Sequence, residues 1–92
     1  MKISWSKEAI VQYESIIDNL IEKWPINVAQ DFEFLTNSLL DNLKINKKLC
    51  PVSKFEKLRK CVIHKNVSLI YRINKQTIEI VTFIINKVAN PF

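Results

Sequence analysis

The side chains able to do chemistry in this chain are cationic and aromatic rather than acid–base pairs. Lys57, Arg59, Lys60, Tyr71, Arg72 and Lys87 fall in its second half, in or beside segments rich in β-branched residues. Arginine forks bind carboxylate or phosphate through two parallel hydrogen bonds, so Arg59 and Arg72 lead as candidates for contact with an anionic target. Both are expected to matter more for docking or activity than for folding. Conventional catalysis finds little material. His64, the single histidine, lies at a turn with no serine, cysteine or carboxylate at a motif spacing, and reads as a surface residue. Glu14 and Asp18 are one helical turn apart on the hydrated side of a helix and read as a solvated acidic stripe. No cluster of metal-ligand types occurs, and glycine is absent altogether, which removes the loops that cradle nucleotide phosphates. No metal or cofactor is therefore expected. Without glycine, asparagine is the expected occupant of left-handed turn positions.

Charge separates the two halves. Up to Leu43 three lysines face seven carboxylates, whereas from Lys44 onward eleven cations face only Glu56 and Glu79. A field this lopsided steers an anionic partner toward the second half: nucleic acid, an acidic protein segment or a membrane surface. No apolar run approaches the ~18 residues of a membrane span, and the first residues lack the apolar core of a secretory signal. A cytoplasmic location is expected, and with it free thiols at Cys50 and Cys61, whose spacing fits neither a zinc nor a redox motif.

The elements that must position these groups follow from periodicity. Ninety-two residues, 48% of them hydrophobic, make one domain over residues 1–92. Lys2 to Trp5 reads as a strand and Ser6 as the N-cap of a helix whose inner face holds Ala9, Tyr13, Ile16, Ile17, Leu20, Ile21 and Trp24. Pro25 ends it. A second helix, with Asn27 as its cap, turns Val28, Phe32, Leu35, Leu39 and Leu43 inward, and the short connection makes the pair antiparallel. A basic stretch from Lys44 to Phe55 leads to three strands, Leu58 to Ile63, Val67 to Ile73 and Thr77 to Ile85. Tight turns at His64-Lys65-Asn66 and Asn74-Lys75-Gln76 join these into a meander. In the middle strand Val67, Leu69, Tyr71 and Ile73 share one face, and Ser68, Ile70 and Arg72 the other. One face must bury against the helices, leaving the opposite one to carry function. The expected class is α+β: an N-terminal strand and an antiparallel helical hairpin packed on one face of a small antiparallel sheet.

The order of these pieces resembles the RelE/ParE family of toxins from bacterial type II toxin–antitoxin modules. The resemblance is carried by Trp5-Ser6 with Ala9, the helical hairpin, Leu58-Arg59-Lys60, Leu69-Ile70-Tyr71-Arg72-Ile73, the isoleucine-rich last strand and Asn90-Pro91. It implies a growth-arresting toxin, neutralised by a cognate acidic antitoxin in a toxin–antitoxin hetero-oligomer. RelE-like members cleave messenger RNA on the ribosome; ParE-like members inhibit DNA gyrase. RelE-like nucleases typically show Lys-x-Lys where this chain has Arg59-Lys60-Cys61, and an arginine where it has Ser68. Many relatives end in Asp-x-Arg-x-x-Pro; here the stretch runs Asn86-Lys87-Val88-Ala89-Asn90-Pro91, and no tyrosine follows the last strand. Cleavage by stabilisation of a charged transition state needs several cations at once. The resemblance thus leans toward the gyrase-directed branch, with target- or antitoxin-binding residues Arg59, Lys60, Tyr71, Arg72 and Lys87. The alternatives are a ribosome-dependent nuclease using Lys57, Arg59, Arg72 and Lys87, with ribosome and mRNA as partners, or an inactivated toxin that only binds antitoxin.

Overall fold

A computed structural model describes residues 1–55, 57–64 and 66–85. Its elements run β1 (Lys2–Trp5), α1 (Lys7–Lys23), α2 (Ile26–Ile45), β2 (Arg59–His64), β3 (Val67–Asn74) and β4 (Thr77–Ile85). The α+β class and the hairpin-on-sheet layering are as the sequence predicts. The sheet order is β1-β4-β3-β2. β2, β3 and β4 form the antiparallel meander, but β1 runs parallel to β4, with Lys2 opposite Thr77 and Trp5 opposite Ile80, so the sheet is mixed. The crossover through the two helices returns the chain to β4 in the same direction as β1, which periodicity along one strand cannot reveal.

Ser6 is the N-cap foreseen for α1. Its Oγ accepts from the Ala9 amide at 2.9 Å and donates to the Val81 carbonyl at 2.6 Å. One hydroxyl thus caps a helix and pins it to β4. Val81 is the extra residue of a bulge: Ile80 lies opposite Tyr71 and Thr82 opposite Ile70. Strict alternation would have turned Phe83 outward; the bulge keeps it on the helix side with Ile78 and Ile80. There Phe83 meets Trp5 (ring centroids 5.5 Å) and Tyr13 (5.3 Å), and Tyr13 stacks on Phe32 (5.8 Å). Around these rings close Ala9, Ile16, Leu40, Leu43, Leu69 and Tyr71, with α1 lying chiefly on β4 and α2 on β2.

Several local expectations are corrected. Pro25, not Asn27, occupies the N-cap position of α2, and no side chain caps that end. Proline fixes the entry dihedral and lacks a donor, which suits it to a helix start. The inner face of α2 is Ala29, Phe32, Thr36, Leu40 and Leu43; Leu35 lies outside it, as do Ile21 and Trp24 of the first helix stripe. Among the described residues, lysines rather than asparagines hold the left-handed positions, Lys57 (φ 69°) and Lys75 (φ 58°). Asn74 is instead the last paired residue of β3, opposite Thr77.

Cys50 and Cys61 are joined in a disulfide, contrary to the expectation of two free thiols. The cause is register. Val52 forms an antiparallel bridge with Arg59, and the Lys60 amide donates to the Pro51 carbonyl at 3.1 Å. Continuing that register sets Cys50 directly across from Cys61, with Cα atoms 5.4 Å apart, within the range a disulfide spans.

Candidate functional site

The candidate residues divide between the two faces of β2 and β3. Arg59 and Tyr71 are cross-strand partners on the helix side. Tyr71 is fully buried. Its hydroxyl donates to the Lys47 carbonyl at 2.8 Å and accepts from the Cys50 amide at 3.4 Å. Burial raises its phenol above the usual value, opposed by the Cys50 N–H and the Arg59 charge. The Arg59 guanidinium, half-buried, donates to the Cys50 carbonyl at 2.7 Å. Expected as contacts for a target, these two side chains are turned inward onto the connection between α2 and β2, where they satisfy its backbone groups.

Lys60 and Arg72 lie on the opposite face. Lys60 sits across from Ile70, and Arg72 across from Glu79, whose carboxylate it meets at 2.5 Å. This face, foreseen as open, is closed at its centre: Ser68, Ile70 and Thr82 are buried. It is accessible at its rim, at Arg72 and Val62. Lys57 stands exposed on the connection before β2. Lys87 lies outside the described residues. Of the four cations named as nuclease candidates, Lys57 stands exposed on a loop, Arg59 binds a backbone carbonyl and Arg72 an ion-pair partner on the far face. Arg59 and Arg72 thus do not converge on a point where a phosphate could sit.

The helices show other features. Glu14, Asp18 and Glu22, with Val11, Ser15 and Asn19, line a shallow open depression of about 450 Å³ along the exposed side of α1. His64 is exposed at the end of β2. Among the described residues no three His, Cys, Asp or Glu side chains group as metal ligands, and no helix is long and apolar enough to cross a membrane. The hairpin also leaves Trp24, Ile26, Phe34 and Ile45 exposed, Phe34 at 70% and Ile45 at 87%. Sequence reasoning placed Trp24 in the core and passed over Phe34 and Ile45. Their signal was that both fall outside the stripe that α2 needs to bury.

This fold has counterparts among known proteins. The chain belongs to the ParE toxin family of type II toxin–antitoxin systems, whose family model matches residues 3–86. Solved structures share the fold at low identity. A chain of the chromosomal ParDE toxin–antitoxin system from P. aeruginosa is 15% identical with a TM-score of 0.77, covering 92% of this chain and 95% of that one. A YoeB/ParE toxin from Agrobacterium tumefaciens is 16% identical with a TM-score of 0.70 and coverages of 92% and 98%. A chain of the heterotetrameric YoeB–YefM toxin–antitoxin complex from Staphylococcus aureus is 17% identical with a TM-score of 0.62 and coverages of 89% and 92%. No curated protein matches the chain by sequence.

Proposed function

We propose that this chain is a growth-arresting toxin that inhibits DNA gyrase without cutting RNA and is silenced by a cognate acidic antitoxin. The observation that carries the reading is the divergence of the candidate cations. Arg59 is held by the Cys50 carbonyl on one side of the sheet, and Arg72 by Glu79 on the other. In-line attack on a phosphodiester needs its proton transfers and the phosphate charge met together. Cations that bind substrate and transition state equally give no acceleration. The match to the ParE family model supports the same branch.

An antitoxin partner is supported by the toxin–antitoxin complex among the structural neighbours and by the exposed Trp24, Ile26 and Phe34 along the hairpin. Exposed apolar side chains of this size mark protein contacts when they gather on one surface. Lys60 and Arg72 are assigned to target or antitoxin contact, while Arg59 and Tyr71 act through the loop they hold. The second reading, a ribosome-dependent mRNA nuclease in the cytoplasm, draws on the YoeB neighbours.

The test is a pair of reactions with purified protein. Gyrase supercoiling should be inhibited, and primer extension on messenger from a translation reaction should show no new ends. Codon-positioned, ribosome-dependent cuts would reverse the order of the two readings. Neither effect, with antitoxin binding retained, would leave an inactivated toxin.

A further inference from the structure

The connection between α2 and β2 carries the highest density of charge in the molecule. Between the end of α2 and the start of β2 it holds four lysines, Lys47, Lys48, Lys54 and Lys57, against one carboxylate, Glu56. Topology sets them along one edge of the sheet. β2 is the outer strand of the sheet, and the segment from Cys50 to Val52 lies antiparallel beside it through the disulfide, the Pro51–Lys60 hydrogen bond and the Val52–Arg59 bridge. Beyond the bridge the chain turns back on itself, the Ser53 amide donating to the Leu58 carbonyl at 2.8 Å. Lys54 and Lys57 thus stand at one end of a ledge whose other end is the turn at Lys47 and Lys48.

Helix chemistry accounts for part of this charge. Lysines near a helix C-terminus complement its dipole, and Lys44 also meets Asp41 at 3.8 Å. Neither reason reaches Lys54 and Lys57, well past the end of α2. Lys47, Lys48, Lys54 and Lys57 are all exposed, and none forms an ion pair with another described residue. The backbone at Lys47 and Cys50 is held by the disulfide, the Tyr71 hydroxyl and the Arg59 guanidinium, and the turn carrying Lys54 and Lys57 by the hydrogen bonds of Ser53 with Leu58 and of Leu58 with Phe55. Anchored backbone spares a partner the cost of ordering this segment, leaving only the lysine side chains to be immobilised.

We propose that this ledge is a docking surface for the phosphodiester backbone of duplex DNA. The inference rests on the gyrase reading and deepens it, since the substrate of that enzyme is duplex DNA and the toxin would touch it directly. Lys48 and Lys54 lie six positions apart, so at most about 20 Å separates their backbones, and over such a span a duplex presents about one phosphate charge per 1.7 Å of its axis. Lysine supplies point charges suited to phosphate rather than the planar forks that read bases. A single aromatic side chain, Phe55, accompanies the lysines among the described ledge residues. Single-strand binders instead stack successive bases on several rings. The surface therefore fits a duplex backbone without sequence preference.

The experiment is fluorescence anisotropy of a labelled duplex of mixed sequence titrated with the full chain over a salt series. Lys47→Gln/Lys48→Gln/Lys54→Gln/Lys57→Gln should keep the melting temperature, weaken binding at low salt at least tenfold, and flatten the slope of log affinity against log salt by about 3–4, at about 0.9 per phosphate. Lys2→Gln/Lys7→Gln/Lys23→Gln should leave affinity and slope close to those of the parent. The proposal is overturned if the parent fails to bind the duplex at low salt, if the ledge variant binds unchanged, or if polyglutamate or duplex RNA binds while duplex DNA does not. Supercoiling inhibition is measured in parallel. Inhibition by a toxin that does not bind DNA overturns the ledge and leaves the gyrase reading; DNA binding without inhibition does the reverse.

Discussion

The two edges of the sheet are closed by different means. At one edge β1 is only four residues long, runs parallel to β4, and ends in Ser6, which ties it to the bulge at Val81. At the other, β2 is covered by an irregular segment fastened with a disulfide, a buried tyrosine hydroxyl and an arginine. The first edge is limited by its shortness, and at the second the covering segment pairs with backbone groups that would otherwise be open to another chain. The β1 edge does so with few side chains and little charge. The β2 edge uses three fastenings and displays a row of lysines. So elaborate a support beneath exposed cations argues that the position of those cations matters, whereas the β1 edge needs only to close.

This contrast can be broken at its strongest fastening first. Reduction by a dithiol, or Cys50→Ala/Cys61→Ala, should cost about 2–3 kcal/mol, from the loop the bridge closes. In a domain of this size that lowers the melting temperature by about 10 °C or more. An unchanged melting curve on reduction would show that the bridge adds nothing to the hydrogen bonds around it.

Tyr71→Phe removes only the hydroxyl that joins the Lys47 carbonyl and the Cys50 amide. A loss of about 1–2 kcal/mol is expected, because a buried amide and a part-buried carbonyl lose a partner. Arg59→Ala frees the same segment, so the double variant should cost less than the sum of the singles. Additivity in a double-mutant cycle would mean that the two fastenings act on separate pieces of chain.

On the opposite edge, Ser6→Ala should cost about 1 kcal/mol, the usual worth of an N-cap. Denaturant titration would read it, and a Thr replacement should restore most of the loss. Smallest is Arg72→Ala. Its ion pair with Glu79 is half-exposed, and such pairs contribute little, so stability should move by less than about 0.5 kcal/mol. A larger loss would make Arg72 part of the fold and remove it from the target contacts proposed above.

Much of this was legible from residue order. Ser6 followed by a helical stripe, the proline between the helices, and the alternation of Val67, Leu69, Tyr71 and Ile73 gave the layering and the buried face of β3. What stayed hidden depends on contacts between distant segments. No local pattern distinguishes parallel from antiparallel pairing for a four-residue strand, so β1 was read into an antiparallel sheet. The cysteines form no motif spacing, and only the register of Val52 on Arg59 makes them neighbours. For the candidate site, residue types name candidates but do not say that Arg59 and Tyr71 face inward while Lys60 and Arg72 lie on the other face. That division depends on which face the helices cover, and on a connection folding back along β2.

The parallel pairing of β1 with β4 also bears on how the chain is made. β1 is synthesised well before its partner, which begins at Thr77. At synthesis rates of about 5–20 residues per second, the first strand waits roughly 4–15 s for the strand it must join. Until then the Ser6 hydroxyl lacks the Val81 carbonyl, and the rings of Trp5 and Tyr13 lack Phe83. The core is thus completed by one of the last described strands to be synthesised. Closure of the domain in the nascent chain is gated by synthesis of β4, and until then both helices stand without the strand on which α1 chiefly packs.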